Sequence, residues 1–368
     1  MTTSPGGRAG IRAFDEADLG QVARIWDTVF RPGSSLASRD TAGFLRRTLL
    51  SDPWHDPELP SLVYAQQDGQ VIAFLGSSVR RMRFDGRSIR AVSSAHFMID
   101  PASSVQGVGA LLLGRLLAGP QELTTTDTAN AATQLLWRRF GGRPAHLSGV
   151  GWVRVFRPSS VARHVLAERG GKARWFLRAP ATPLWRLADV VLRRAVDLAS
   201  PSRLQGSPTA GSTEPLSATA APAELEPVWE GFRLRPEYEA AHFEALHEDL
   251  SRFGKGVPVA AVVRRGDRTL GAYVYLLEPG GVCPVLAIVC AEGDAPAVVS
   301  SLFDHASSHE AAALVGRVEP HAQESLNQSG AQFFAAEVRR LLHSRDPDLL
   351  ATIDSGSASM TRLDGEWW

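Results

Sequence analysis

Lysine is almost absent from this chain: of 39 basic residues among 368, only Lys172 and Lys255 are lysines and the other 37 are arginines. With Ala, Gly and Pro abundant, that bias reads as the coding habit of a GC-rich, bacterial genome rather than as a binding signal. Net charge is also lacking, because 39 acidic residues cancel the 39 basic ones. A neutral chain has no general attraction to nucleic acid or to an anionic bilayer, so no nucleic-acid partner is expected. Cysteine is scarce. Cys283 and Cys290 are the only two and share one apolar run, which predicts buried thiols instead of a disulfide framework or a metal site. No run approaches ~18 uninterrupted apolar residues, and the opening MTTSPGGRAG has no apolar core. Neither a transmembrane segment nor an export signal is read, and the expected compartment is the cytoplasm.

What is present is the profile of a folded chain, 44% hydrophobic and 21% charged, at a length that suits two domains. Gly10 to Phe14 alternates like a short strand. Asp15 then opens a run with Leu19, Val22, Ala23, Trp26, Val29 and Phe30 at helical spacing. A second helix is predicted over Thr41 to Leu50, ended by the Pro- and Asp-rich stretch from Ser51 to Pro57. Strands at Ser61 to Ala65, Gln70 to Val79, Met82 to Phe84 and Ser88 to Ile99, with Asp68-Gly69 and Asp85-Gly86 between them, predict an antiparallel meander. A helix over Val108 to Leu117, a strand at Glu122 to Thr126 and a helix over Thr128 to Phe140 follow.

Residues 200–224 contain almost no large apolar side chain and read as a mobile linker or a surface loop. Beyond them a helix over Pro236 to Phe253, strands at Val257 to Arg264, Leu270 to Leu277 and Val282 to Cys290, a helix over Ala295 to His309 and a strand at Ala313 to Val318 repeat the earlier order. The expected architecture is α/β with two lobes, each a mixed, mostly antiparallel sheet flanked by helices. The expected division is a first domain over 1–155, a helical connector and flexible linker over 156–224, and a second domain over 225–368.

The segment Ser104-Val105-Gln106-Gly107-Val108-Gly109-Ala110 lies between a predicted strand and an apolar helix. Two glycines let the backbone present successive N–H groups, and a helix N-terminus adds partial positive charge, a combination suited to phosphate. This loop resembles the acyl-coenzyme A signature of the GNAT acetyltransferase superfamily, Gln/Arg-x-x-Gly-x-Gly/Ala, with Gly107 and Gly109 at its small positions. Asn130, seven residues before Trp137 and the following Arg138-Arg139-Phe140-Gly141-Gly142, is similar to the family's Asn…Tyr-x-x-x-Gly-Phe segment. The resemblance covers residues 10 to 145 and implies a tandem GNAT-like protein whose second lobe is degenerate. It further implies that backbone groups of Phe97, Met98 and Ile99 pair the pantetheine arm of acetyl-CoA, that Gln106, Gly107, Val108, Gly109 and Ala110 hold the pyrophosphate, and that Asn130 stands near the cofactor's outer arm.

Two positions depart from the pattern. Ser104 stands where the family has Gln or Arg, and Trp137 replaces the tyrosine that protonates the departing thiolate, work an indole N–H does not do at neutral pH. His96, with an ordinary pKa near 6.5, is the candidate base; Asp100 and Asp127 are alternatives, each also readable as a turn or helix cap. The second lobe has no Gly-rich counterpart, since Ala291-Glu292-Gly293-Asp294 puts two carboxylates before its helix.

The expected activity is transfer of an acetyl or short acyl group from coenzyme A to an amine of a small-molecule or sugar acceptor between the lobes, without a metal; a homodimer is compatible with the sequence. Two rivals stay open, an aminoacyl-tRNA-dependent aminoacyltransferase of paired GNAT-like architecture and a non-catalytic CoA-binding or scaffold protein. Arg174 to Arg194, rich in Trp and Arg, reads as an interlobe contact or an interfacial helix. The closing Leu363 to Trp368 reads as a terminal strand, with a return of Glu366 and the terminal carboxylate to the cleft as the alternative.

Overall fold

The computed structural model of the chain describes residues 9–31, 40–145, 149–169, 211–335 and 339–365; the segment Arg174 to Arg194, the C-terminal three residues and the first part of the expected linker lie outside these. Two sheets form the molecule. The first contains β1 (Gly10–Ala13), β2 (Leu62–Ala65), β3 (Val71–Phe84), β4 (Arg87–Ile99), β5 (Leu123–Ala129) and β6 (Arg143–Pro144). The stretch from Gln70 to Phe84, expected as two strands, is one 14-residue strand paired with the 13-residue β4 through the Asp85-Gly86 turn. The apparent break at Val79-Arg80-Arg81 is a change of environment: Arg80 is buried while Arg81 is exposed.

Helices cover both faces of this sheet. Helix α1 (Leu19–Phe30), which continues a short 3-10 turn capped by the Asp15–Asp18 box, and α2 (Thr41–Leu45) bury Val22, Phe44 and Leu45 against Phe74 and Met98. On the other face, α3 (Val108–Leu117) and α4 (Ala131–Arg139) bury Leu112, Leu113, Leu116 and Trp137 against Ile72, Leu75 and Val92. Fully burying one such aliphatic side chain contributes about 1.5–3 kcal/mol, so these faces hold the sheet in place.

The second sheet is built from β7 (Val150–Val155), β8 (Ser212–Pro215), β10 (Val257–Arg265), β11 (Arg268–Leu277), β12 (Val282–Cys290), β13 (Ala313–Arg317) and β14 (Gln332–Ala335). It is flanked by α5 (Pro158–Arg169), α6 (Ala221–Trp229), α7 (Ala240–Phe253), α8 (Ala295–Ser308) and α9 (Gln323–Gln328). Each lobe lends the other a strand. β7 sits between β13 and β14, and β15 (Arg339–His343) sits between β5 and β6; β9 (Leu234–Pro236) also joins the first sheet, beside β3.

The boundary expected at residue 155 therefore does not separate the sheets: Trp152, fully buried, belongs to the second lobe's core, and Leu341 to the first lobe's. The expected linker is corrected too, because Ser212–Pro215 pairs with Ala261–Arg264. An edge strand is held by backbone bonds, so its four exposed side chains carry no apolar signal. Leu363 is not in a terminal strand but in a short 3-10 turn, Arg362–Asp364, that follows α10 (Pro347–Asp354). Cys283 and Cys290 are both buried and free. Among the described residues no helix is long and apolar enough to cross a membrane.

Candidate functional site

β4 and β5 run parallel but pair over only three residues, Ala91 to Ser93 against Leu123 to Thr125. Beyond that point they diverge. β5 is paired with β15 on its other edge from Thr124 to Ala129, while among the described residues β4 from Ser94 to Ile99 has β3 as its one ladder neighbour. An extended ligand is recognised by such an edge through main-chain hydrogen bonds. Within this stretch β4 bulges. Phe74 faces Met98 and Gly76 faces Ala95, so Leu75 alone opposes His96 and Phe97, and His96 takes a φ of 50°. A left-handed bulge residue costs energy for any side chain other than Gly.

At its far end the edge meets the start of α3. Gly107 precedes the helix with φ 77° and no side-chain cap, and a Cβ built on it would find nothing within 4 Å. The N–H groups of Val108, Gly109 and Ala110 come before the first intrahelical acceptor, and no side chain caps them, leaving donors directed out of the helix start. Gly109 is needed for a different reason: a Cβ there would come within 3.0 Å of the Phe97 ring and 3.3 Å of Ile99 Cδ1. The two glycines bring the loop against β4 and keep its approach open.

The structure brings most of the expected residues together along this line. Phe97 and Ile99 face α3, Ile99 being 39% exposed, whereas Met98 is buried on the α1 face. Gln106 and Ser104 are exposed in the loop. Asn130 caps α4, its side chain accepting from Thr133 N–H at 2.9 Å. Trp137 is 1% exposed and serves as core.

His96 is in the wrong environment for the base expected there. Trp26 Nε1 donates to its Nδ1 at 3.2 Å, the rings of Trp26, Phe30 and Phe44 surround it, and burial lowers its pKa to about 3. A neutral imidazole with Nδ1 already occupied is a poor proton acceptor.

The second sheet repeats this geometry and then closes it. β12 and β13 are parallel over three pairs, Val282 to Pro284 against Ala313 to Val315, and beyond them β12 runs on to Cys290 paired with β11 on its other edge. Here the gap is filled from within, with His321 Nε2 donating to Ile288 O at 3.1 Å and Phe232 packed on the His321 ring. Asp294, paired with Arg268, stands at the start of α8.

No protein-family profile and no curated protein sequence matches the chain. Comparison with solved structures is decisive for the fold. A probable N-acyltransferase from Enterococcus faecalis aligns with a TM-score of 0.57 at 8% identity, over 92% of this chain and 73% of that one. A GCN5-related N-acetyltransferase from Anabaena variabilis aligns with a TM-score of 0.57 at 12% identity, over 92% and 74%. The fold is that of the GCN5-related N-acetyltransferases. Saccharomyces cerevisiae N-myristoyltransferase, whose crystal structure holds myristoyl-CoA, shares it with a TM-score of 0.52 at 10% identity, over 93% and 80%.

In this GNAT fold the base of the first groove carries a buried ionic cluster. Asp127 on β5, expected as a helix cap, is 2% exposed. Arg340 of β15 donates to it through Nε at 2.6 Å and Nη2 at 3.2 Å, and Arg317 of β13 lies 2.9 Å away. Burial opposes the charge on Asp127, but the two guanidiniums outweigh it and hold its carboxyl well below the usual carboxylate range.

Arg340 also donates to the carbonyls of Met360 and Thr361, and Tyr238 Oη donates to Asp364 at 2.6 Å. Nothing in the local sequence announced the Tyr238–Asp364 and Asp127–Arg340 pairs, whose members lie 126 and 213 positions apart. Glu319 completes the cluster: burial raises its pKa to about 8, against Arg340 and Arg317 and with help from Asp364 and Asp127.

A carboxyl whose folded pKa is raised contributes stability that is full below its unfolded pKa and lost as pH rises through the folded value. Glu319→Gln is therefore expected to match the parent in melting temperature near pH 5 and to exceed it increasingly toward pH 8, by about 1 kcal/mol per pH unit. Parallel melting curves at all pH values would contradict this assignment.

Proposed function

We propose that the chain is an N-acyltransferase that takes an acyl group, acetyl in the first instance, from coenzyme A and delivers it to an amine of a small-molecule or sugar acceptor between the lobes. One observation carries the reading: the β4 edge from Ser94 to Ile99, free of ladder pairing toward β5, leads straight to the uncapped start of α3 at Gly107. Main-chain groups of Phe97, Met98 and Ile99 would pair the pantetheine arm, and the amides from Gln106 to Ala110 would hold the pyrophosphate. Asn130, committed to capping α4, would fix the helix beside the outer arm. Bound there, acyl-CoA would supply a thioester open to attack by an amine, with a thiolate as leaving group.

The remaining chemistry is positional. The bulge at His96 would turn β4 main-chain N–H groups toward the groove, where they would favour charge on a carbonyl oxygen. As the C–N bond forms and the C–S bond breaks, the ammonium proton leaves through water and solvent protonates the thiolate, because neither His96 nor Trp137 is equipped for those transfers. A second reading, CoA binding without turnover, is favoured by the same two residues.

Thiol release from acetyl-CoA, followed colorimetrically over a panel of aminosugars, polyamines and amino acids, separates the readings. Release well above the blank with at least one amine is expected. Saturable CoA binding with no release on any amine would leave the non-catalytic reading.

A further inference from the structure

A set of buried polar side chains between the lobes takes no part in the groove. Arg80 on β3 is 4% exposed. Its Nη1 donates to Val79 O at 2.6 Å and more distantly to Asp52 Oδ2 at 3.3 Å, while its Nε is buried with no partner. Trp54 is 6% exposed and its indole Nε1 is likewise buried and unpartnered. The Trp54 ring lies 3.8 Å from that of His242 on α7 and 5.0 Å from the Arg80 guanidinium.

His242 Nδ1 accepts from Glu239 N–H at 3.1 Å, so its neutral ring carries the proton on Nε2 and presents a third donor. Burial lowers its pKa to about 4, which keeps the ring uncharged at neutral pH. With Asp249, whose Oδ1 accepts from Arg47 at 2.6 Å, these residues line a cavity of about 20 Å³, room for about one oxygen atom of water size.

The chemistry of the lining selects the occupant. A buried N–H left without an acceptor costs about 1–3 kcal/mol, so the two orphaned donors call for an oxygen. An ammonium offers only donors and would meet the Arg80 guanidinium. A carboxylate would be set against Asp52 and Asp249. A hydroxyl accepts from Arg80 or Trp54 and donates to a carboxylate, matching both halves of the wall. We propose that this cavity binds a hydroxyl group of a sugar or polyol ligand held between the two lobes. The site stands independently of acyl transfer, since none of its residues belongs to the CoA groove.

The orphaned indole is its own reporter. In the full chain labelled with ¹⁵N-tryptophan, the Trp54 Nε1–H resonance, assigned by its disappearance in Trp54→Phe, is followed during titration with methyl glucoside, sodium acetate and methylammonium chloride. Methyl glucoside is expected to shift it saturably and the two ions are not, with affinity falling about tenfold in Arg80→Lys, as for loss of one good hydrogen bond. A shift with acetate or methylammonium but not the glucoside would overturn the assigned class. No shift with any probe would mean that the cavity holds water only, and the proposal would fall. The wild-type titration decides the matter even where the lysine variant folds poorly.

Discussion

Replacing Asp127 by asparagine is expected to destabilise the protein by about 3–5 kcal/mol, the range for removing one partner of a buried ion pair. Asparagine keeps the shape of the side chain and removes only its charge. The guanidiniums of Arg340 and Arg317, whose side chains are 3% and 15% exposed, then lose the carboxylate they share. Because Arg340 is on the strand inserted into the first sheet and Arg317 on a strand of the second, the loss falls on both lobes together. Chemical denaturation should show one transition at lower midpoint rather than early melting of one lobe.

The same substitution changes the acid limb of stability. A carboxyl with a depressed folded pKa contributes stability that is present above its unfolded pKa and lost as pH falls through the folded value. The wild type should therefore weaken below about pH 4, and Asp127→Asn should lack that part of the slope. Pairing Asp127→Asn with Arg340→Met should recover part of the loss, with a coupling of about 1–3 kcal/mol. A single-mutant cost under about 1 kcal/mol would show that the cluster is solvated and does not join the lobes.

At the other end of the groove, Gly107→Asp is expected to weaken coenzyme A binding on the order of 100-fold, equivalent to about 3 kcal/mol. Any non-glycine side chain at φ 77° carries a backbone cost of about 1–2 kcal/mol, which aspartate and asparagine bear better than other residues. Open space surrounds the position, so neither substitution creates a clash. Gly107→Asn shares the backbone cost without the charge and should lose only a few-fold. The difference between the two variants isolates repulsion of a pyrophosphate by a carboxylate at the helix start, and it should shrink as salt is raised. Equal losses for Asp and Asn would point to backbone geometry instead.

Much of the fold was legible in the sequence because its elements are locally specified. The alternation from Val257 to Cys290 and the apolar spacing of α1, α3 and α8 predict elements that the structure contains within a few residues, as does the Gly-flanked turn at Asp85-Gly86. What escaped is non-local. The exchange of β7 and β15 depends on which sheet edge each strand meets, and a five-residue strand such as Arg339–His343, with only Leu341 and Leu342 apolar, carries no local mark of which sheet it joins. Ser212–Pro215 pairs through its backbone, which composition does not register.

The groove was legible where chemistry is written in glycine, at Gly107 and Gly109, and not where it depends on enclosure. His96 has a residue type suited to a base, but three aromatic rings from α1 and α2 and an indole hydrogen bond decide its protonation. Asp127 precedes a helix, as a cap does, yet two arginines about two hundred positions downstream claim its carboxylate. Arg80 was invisible as a site because its significance lies in a donor left unmatched in the folded protein.

The groove in the first lobe would accept coenzyme A, whereas its counterpart in the second is closed by His321 and Phe232. Calorimetric titration of the full chain with coenzyme A tests both halves at once. One saturable site per chain is predicted, lost in Gly107→Asp; a folded protein that binds none, or that binds two, would contradict it.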